Sequence, residues 1–151
     1  MMKLIATNRK AHRDYFITDA VECGIALLGS EVKSLRDGRL NLEESFARID
    51  PEGMTLYSAH ISPYAQASYL NADPVRPRRL LLHKEQLARF DAHVAQRGCT
   101  LIPLRAYFND RGMVKIEIAL GKGKKHYDRR DDIKRRETDR EMRRAVKGIR
   151  K

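Results

Sequence analysis

The sequence has no tryptophan and only two cysteines, Cys23 and Cys99. Two isolated thiols are too few for a disulfide scaffold and lack the spacing of a metal-binding module. The five histidines (His12, His60, His83, His93 and His126) form no His-Glu-x-x-His or comparable ligand set. No apolar run approaches the ~20 residues that span a bilayer. The opening residues, MMKLIATNRK, lack the apolar stretch and small-residue cleavage site of a secretory signal. Glu43 and Glu44 are adjacent, so on a helix or strand their side chains diverge and do not make a general acid–base pair. Gly121-Lys122-Gly123-Lys124-Lys125 lacks the Gly-x4-Gly-Lys-Ser/Thr spacing of a phosphate loop and places no hydroxyl for magnesium. These absences lead us to expect a cytoplasmic protein with no cofactor, no metal, no membrane association and no catalytic residues.

Charge is what the sequence has in excess. Its 151 residues carry 31 Lys+Arg against 20 Asp+Glu, a net of +11, which implies an acidic partner, nucleic acid before anionic membrane. From Gly121 to Lys151 there are 14 basic and 6 acidic residues, a net of +8, whereas residues 1–120 hold 17 and 14, a net of +3. The last 31 residues also contain few large apolar side chains, chiefly Tyr127, Ile133, Met142, Val146 and Ile149. Those are too few to offset the ~1–2 kcal/mol per residue of backbone ordering. We therefore expect a folded body over 1–120 and a basic tail over 121–151 that is flexible when free. Gly121 and Gly123 read either as a hinge between the two parts or as a backbone able to bend close to a polyanion.

Within the body, Val114, Ile116, Ile118 and Leu120 alternate with Lys115, Glu117 and Ala119, a strand with one buried face. Leu101 to Phe108 precedes it across Asn109-Asp110-Arg111-Gly112, so the two read as a hairpin. A second hairpin joins Ser45–Ile49 to Met54–Ile61 through Asp50-Pro51-Glu52-Gly53. Asp14–Thr18 and Ile25–Leu28 are further strand candidates. Ser30 reads as the N-cap of a short helix that turns Val32 and Leu35 inward and stops at Gly38. A longer helix spans about Lys84 to Arg97, with Leu87, Phe90 and Val94 on one face and Gly98 at its end. Antiparallel strands with few helices predict a mainly β, α+β fold: an OB-like antiparallel barrel with short helices at its ends.

Basic residues gather at three places in the body. Asn8-Arg9-Lys10-Ala11-His12-Arg13 precedes the first strand candidate, Lys33 and Arg36 share a face of the short helix, and Arg76-Pro77-Arg78-Arg79 precedes the longer one. With Asn8 and Glu31 they supply phosphate contacts and polar groups able to read base edges and 2′-hydroxyls, which favours structured RNA. In the tail, Tyr127 lies among bases where a ring can stack on a nucleotide. Residues 128–147 contain no Pro or Gly and pair opposite charges at helical spacing, as in Asp131–Arg135 and Asp139–Arg143. Such pairs add only ~0.2–0.5 kcal/mol each, so we expect the tail to become helical on a charged surface rather than alone.

Asn8-Arg9-Lys10-Ala11, Tyr15-Phe16-Ile17, Gly29-Ser30-Glu31-Val32-Lys33-Ser34-Leu35-Arg36, Arg79-Leu80-Leu81-Leu82 and Gly121-Lys122-Gly123-Lys124-Lys125-His126-Tyr127-Asp128-Arg129-Arg130 occur in order along the chain. Together they resemble the SmpB family of bacterial SsrA-binding proteins. The resemblance implies an OB-like body that binds the tRNA-like domain of tmRNA. It also implies delivery of that RNA to ribosomes stalled on messages without a stop codon, the process of trans-translation. It places Asn8, Lys10, Glu31, Lys33 and Arg36 on the tmRNA-binding face, to which the basic clusters add Arg13, Arg76 and Arg78. Lys122, Lys124, Lys125, Tyr127, Asp128, Arg129, Arg130 and Lys134 fall to the tail, in the vacant decoding centre and message channel of the small subunit. Elongation factor Tu, bound to aminoacylated tmRNA, is a further partner by resemblance. Some relatives carry His in place of Tyr127 and Lys in place of Arg129, changes that keep stacking and charge. Without the resemblance, the alternative is a general structured-RNA-binding or ribosomal protein.

Overall fold

The hairpin expected from the period-two pattern around Ile116 is the backbone of the fold. In the computed structural model, which describes residues 2–64, 72–124 and 136–143, it forms from Thr100–Phe108 (β8) and Val114–Gly123 (β9). Asn109 closes it: its Oδ1 accepts from the N–H groups of Arg111 and Met113, and Gly112 takes the left-handed φ of +75° that the turn requires.

The other elements, in chain order, are Lys3–Thr7 (β1), Ala11–Asp14 (α1), Tyr15–Ile25 (β2), Gly29–Arg36 (α2) and Leu40–Asn41 (β3). Then follow Phe46–Asp50 (β4), Gly53–Tyr57 (β5), His60–Ile61 (β6), Arg78–Leu81 (β7) and Lys84–Arg97 (α3). The main sheet runs β1-β8-β4-β5-β7-β2-β9, every pairing antiparallel, and β9 pairs again with β8. Hydrogen bonding from β8 through β4, β5, β7, β2 and β9 therefore returns to β8. The protein is mixed α+β, mostly antiparallel sheet with short helices.

Inside this circuit lie Val21, Cys23, Met54, Leu56, Leu80, Leu101, Ile116, Ile118 and Leu120, all buried. The α3 helix adds Phe90, fully buried, flanked by Leu87 and Val94, as its spacing predicts. A side chain of that size contributes ~1.5–3 kcal/mol by leaving water. Gly98 ends α3 in the left-handed conformation, φ +63°.

Several elements differ from the sequence reading, each for a local reason. The separate candidates Asp14–Thr18 and Ile25–Leu28 are replaced by one long strand, β2. Asp19 and Glu22 interrupt the apolar pattern between them, yet both remain strand residues, Asp19 beside the exposed Arg89 and Glu22 bonded to the Tyr107 hydroxyl. Residues 26–28 leave the sheet to start α2. The expected strand Met54–Ile61 breaks at Ser58, whose φ of +62° no strand tolerates, and His60–Ile61 instead pairs with β3. Ser30 does not cap α2. It lies within the first turn, while the N-cap is the extended Leu28, whose N–H donates to Glu31 Oε1 at 2.9 Å.

Past position 120, β9 continues through Gly123, opposite Tyr15. A Cβ on Gly121 would lie 2.7 Å from Ile102 Cδ1 and 3.1 Å from Tyr15 Cβ. That glycine therefore serves close packing within the sheet rather than a hinge. Residues 136–143 are helical and every one of them is exposed, within the longer helix expected over 128–147. The rest of that expected helix lies outside the described residues.

Candidate RNA-binding faces

The first grouping is built around Glu31, on the first turn of α2. Strand β7 alternates strictly: Arg78 and Leu80 point in, Arg79 and Leu81 point out. This parity drives the Arg78 guanidinium inside, where it is 1% exposed. A buried cation needs an anion and filled donor sites. Glu31, 5% exposed, supplies the anion at 2.7 Å from Arg78 Nε and 2.6 Å from Nη2. Arg78 also donates to the carbonyls of Ala59 (2.7 Å) and Pro74 (3.0 Å). Arg76 completes the network from the rim, donating Nε to Glu31 Oε2 at 3.1 Å and a second, shorter bond from Nη2 to Oε1.

Burial pushes the Glu31 carboxyl up, but the bonds from Arg76, the Leu28 amide and Arg78 outweigh it and hold its pKa below the ordinary glutamate value. Burial also pulls the Arg78 guanidinium down, opposed by Glu31. A guanidinium starts so high that it stays charged, and the pair is ionic at neutral pH.

On the opposite side of α2, Lys33 and Arg36 are exposed. The Lys33 ammonium lies 5.6 Å from the centre of the Tyr64 ring, and the Arg36 carbonyl accepts a bond from Lys3 Nζ at 3.4 Å. Ser34, not singled out by the sequence reading, is fully buried and donates to Ser62 O at 2.7 Å, tying α2 to the segment after β6. The helix is thus held from below by Glu31 and Ser34 and offers two cations outward.

A second grouping surrounds α1. Asn8, 3% exposed, donates Nδ2 to Pro103 O at 3.0 Å and accepts from the Lys10 N–H at 3.2 Å. It fixes the turn that starts α1 and has little surface of its own. Lys10 reaches over a cleft of about 410 Å³ to Glu44 at 2.9 Å and Glu43 at 3.8 Å. The two adjacent carboxylates thus act as counter-charges to one lysine. Arg13 is largely exposed and pairs with Asp14 at 3.1 Å.

The tail residues divide. Lys122 is exposed on β9, opposite Phe16. Lys124 is anchored at the edge of the sheet: its N–H donates to Asp14 O (2.8 Å), its ammonium donates to His12 O (3.2 Å) and lies 4.8 Å from the centre of the Phe16 ring. Lys125, Tyr127, Asp128, Arg129, Arg130 and Lys134 lie outside the described residues.

Of the eight body positions expected to meet RNA, the structure thus leaves Lys10, Arg13, Lys33 and Arg36 with reachable cations and Arg76 partly so. The side chains of Arg78, Glu31 and Asn8 are instead buried and bonded within the protein.

A family model described as SmpB protein matches residues 5–148. The chain belongs to the SmpB family. It is 52% identical over 144 residues to the SsrA-binding protein of Symbiobacterium thermophilum, covering 95% of this chain and 91% of that one. To the SsrA-binding protein of Enterococcus faecalis it is 50% identical, covering 99% and 96%. Among solved structures it is similar to a chain from one described as "tmRNA-SmpB: a journey to the center of the bacterial ribosome". The TM-score is 0.68 at 48% identity, over 80% of this chain and 85% of that one. The span matched to the SmpB family takes in α1, α2 and β7.

Proposed function

We propose that this chain is a non-catalytic adaptor that binds the tRNA-like domain of tmRNA and brings it to stalled ribosomes for trans-translation. The observation that carries this reading is its near-full-length membership in a family whose close relatives are SsrA-binding proteins. The circuit of strand pairings supports an OB-like barrel as the body, residues 1–120. Lys10, Arg13, Lys33, Arg36 and Arg76 make the RNA contacts, and Asn8, Glu31 and Arg78 hold them in place. The tail, expected over 121–151 and leaving the sheet after Lys124, reads the empty decoding centre and message channel through Lys125, Tyr127, Asp128, Arg129, Arg130 and Lys134, with Lys122 and Lys124 at its root on the sheet. No helix among the described residues is long and apolar enough to cross a membrane. The protein works in the cytoplasm, where its RNA and, by family resemblance, elongation factor Tu are found.

Competition binding tests the reading. Labelled tmRNA is challenged with unlabelled tmRNA and with a total tRNA pool. The adaptor requires tRNA to compete far more weakly, because phosphate neutralisation alone does not discriminate between folded RNAs. Equal competition replaces it with a general RNA-binding protein.

A further inference from the structure

One outward surface borders the α1 cleft but holds none of the cations described above. The strands β4 and β5 turn Ala47, Met54 and Leu56 into the core, so the alternate residues Phe46, Arg48, Thr55 and Tyr57 share the outer face. Phe46 and Tyr57 are cross-strand partners whose rings stack with centroids 5.5 Å apart and planes 18° from parallel. The exposed Arg48 guanidinium lies 5.9 Å from the centre of Phe46 and 5.8 Å from that of Tyr57. Among the described residues no carboxylate forms an ion pair with it. Asp50, on the same face, is bonded to the Glu52 amide and the Thr55 hydroxyl at the hairpin end. The nearby Arg79 is paired with Glu52. Among the described residues Arg48 is thus a cation backed by two rings and without a counter-charge. Phe46 also lines the cleft that Lys10 crosses, so this surface continues into one holding further cations.

We propose that Phe46, Arg48 and Tyr57 form a stacking platform for an unpaired nucleotide of bound RNA, the base resting on the rings and guanidinium and its phosphate meeting Arg48. This rests on the RNA-binding reading above and adds a contact outside the α1 and α2 faces. Aromatic and guanidinium planes recognise splayed bases because every base has a π-face, and an unneutralised cation suits the adjoining phosphate. A cross-strand aromatic pair also stabilises a hairpin, but that role gives Arg48 no reason to lack an acidic partner.

The test uses the full chain and a single-stranded oligoribonucleotide about a dozen nucleotides long carrying the fluorescent base 2-aminopurine, whose emission falls on stacking. The wild type binds it with quenching. Tyr57→Leu weakens binding about 5-fold or more and abolishes the quench, whereas Tyr57→Phe keeps both. Arg48→Gln lowers the slope of log affinity against log salt by about 0.7, the loss of one single-strand phosphate contact. A purely structural role for the pair moves thermal stability but neither the quench nor the salt slope. The platform is overturned by an unquenched oligonucleotide, by Tyr57→Leu and Arg48→Gln variants that bind like wild type, or by displacement with polyglutamate as effective as with unlabelled RNA. Tight tmRNA binding alongside any of these results leaves the adaptor reading standing. Quenching that depends on Tyr57 without any preference for tmRNA over tRNA defeats the adaptor and keeps the platform.

Discussion

Replacing Glu31 by glutamine keeps the shape of the side chain and removes its charge. The variant leaves the Arg78 guanidinium, 1% exposed, without its counter-charge, bonded to the neutral carbonyls of Ala59 and Pro74 and at most one amide oxygen. It also turns an amide N–H₂ toward donors on Arg76 or Arg78 that now point at one another. Breaking a buried pair from one side costs about 3–5 kcal/mol, because the remaining charge keeps its desolvation penalty without its compensation. In a chain of this size that is a fall in Tm of roughly 10 °C. Urea unfolding followed by far-ultraviolet circular dichroism reads it directly. Arg78→Met in the Glu31→Gln background removes the orphaned cation and restores much of the loss, since an apolar side chain of similar length fits the same interior. Glu44→Gln, at a side chain that is 79% exposed, leaves the midpoint where it was. A Glu31→Gln variant less than about 1 kcal/mol below wild type refutes the argument, because a buried unpaired guanidinium cannot be that cheap.

Other outcomes follow from the same structure. The folded Glu31 holds its proton less tightly than the unfolded one, so its stabilisation is complete above the ordinary glutamate pKa and drains away as pH falls through the lower folded value. The stability gap between wild type and Glu31→Gln is therefore constant near neutrality and narrows in acid, which a series of unfolding curves checks; a gap that widens in acid contradicts the assigned direction. Burial, with a smaller contribution from Glu22, pushes the Cys23 thiol up to about 12, while Cys99 is partly exposed. Iodoacetamide near neutral pH should alkylate Cys99 in the native protein and reach Cys23 only at the rate of global opening, as peptide mass mapping shows. In RNA binding, Glu31→Ala should weaken tmRNA affinity more than Glu43→Ala, because only Glu31 holds α2 and the segment before β7 together; equal effects in a filter-binding assay contradict that role.

What the sequence made legible was whatever depends on short-range pattern. The β8–β9 hairpin, the β4–β5 turn, and α3 with its Leu87-Phe90-Val94 face and Gly98 end each announce themselves within a dozen residues. The burial of Arg78 is not legible locally, because three arginines around a proline look like a solvated cluster. Only the parity of β7, set by its pairing with β5 and β2, turns one of them inward. Glu31 lies 47 residues from Arg78 in the chain, and no local pattern signals that contact. Ser58 broke an apparent strand through a φ that its residue type does not advertise. The Phe46–Tyr57–Arg48 surface, by contrast, was within reach. Counting outward from a two-residue hairpin turn pairs Phe46 with Tyr57 and puts Arg48 on the same face. The distribution of charge points to a body and a tail, though β9 runs past the expected boundary to Gly123, and the family match supplied the RNA that charge alone leaves unnamed.

The central claim is that the two parts of the chain do different work, the body selecting tmRNA and the tail engaging the stalled ribosome. Deleting residues 131–151 separates them, with tmRNA affinity and peptide tagging on stalled ribosomes measured on the same variant. The account predicts affinity within a few-fold of the full chain and tagging abolished. A shortened protein that still supports tagging, or one that loses tmRNA, contradicts it.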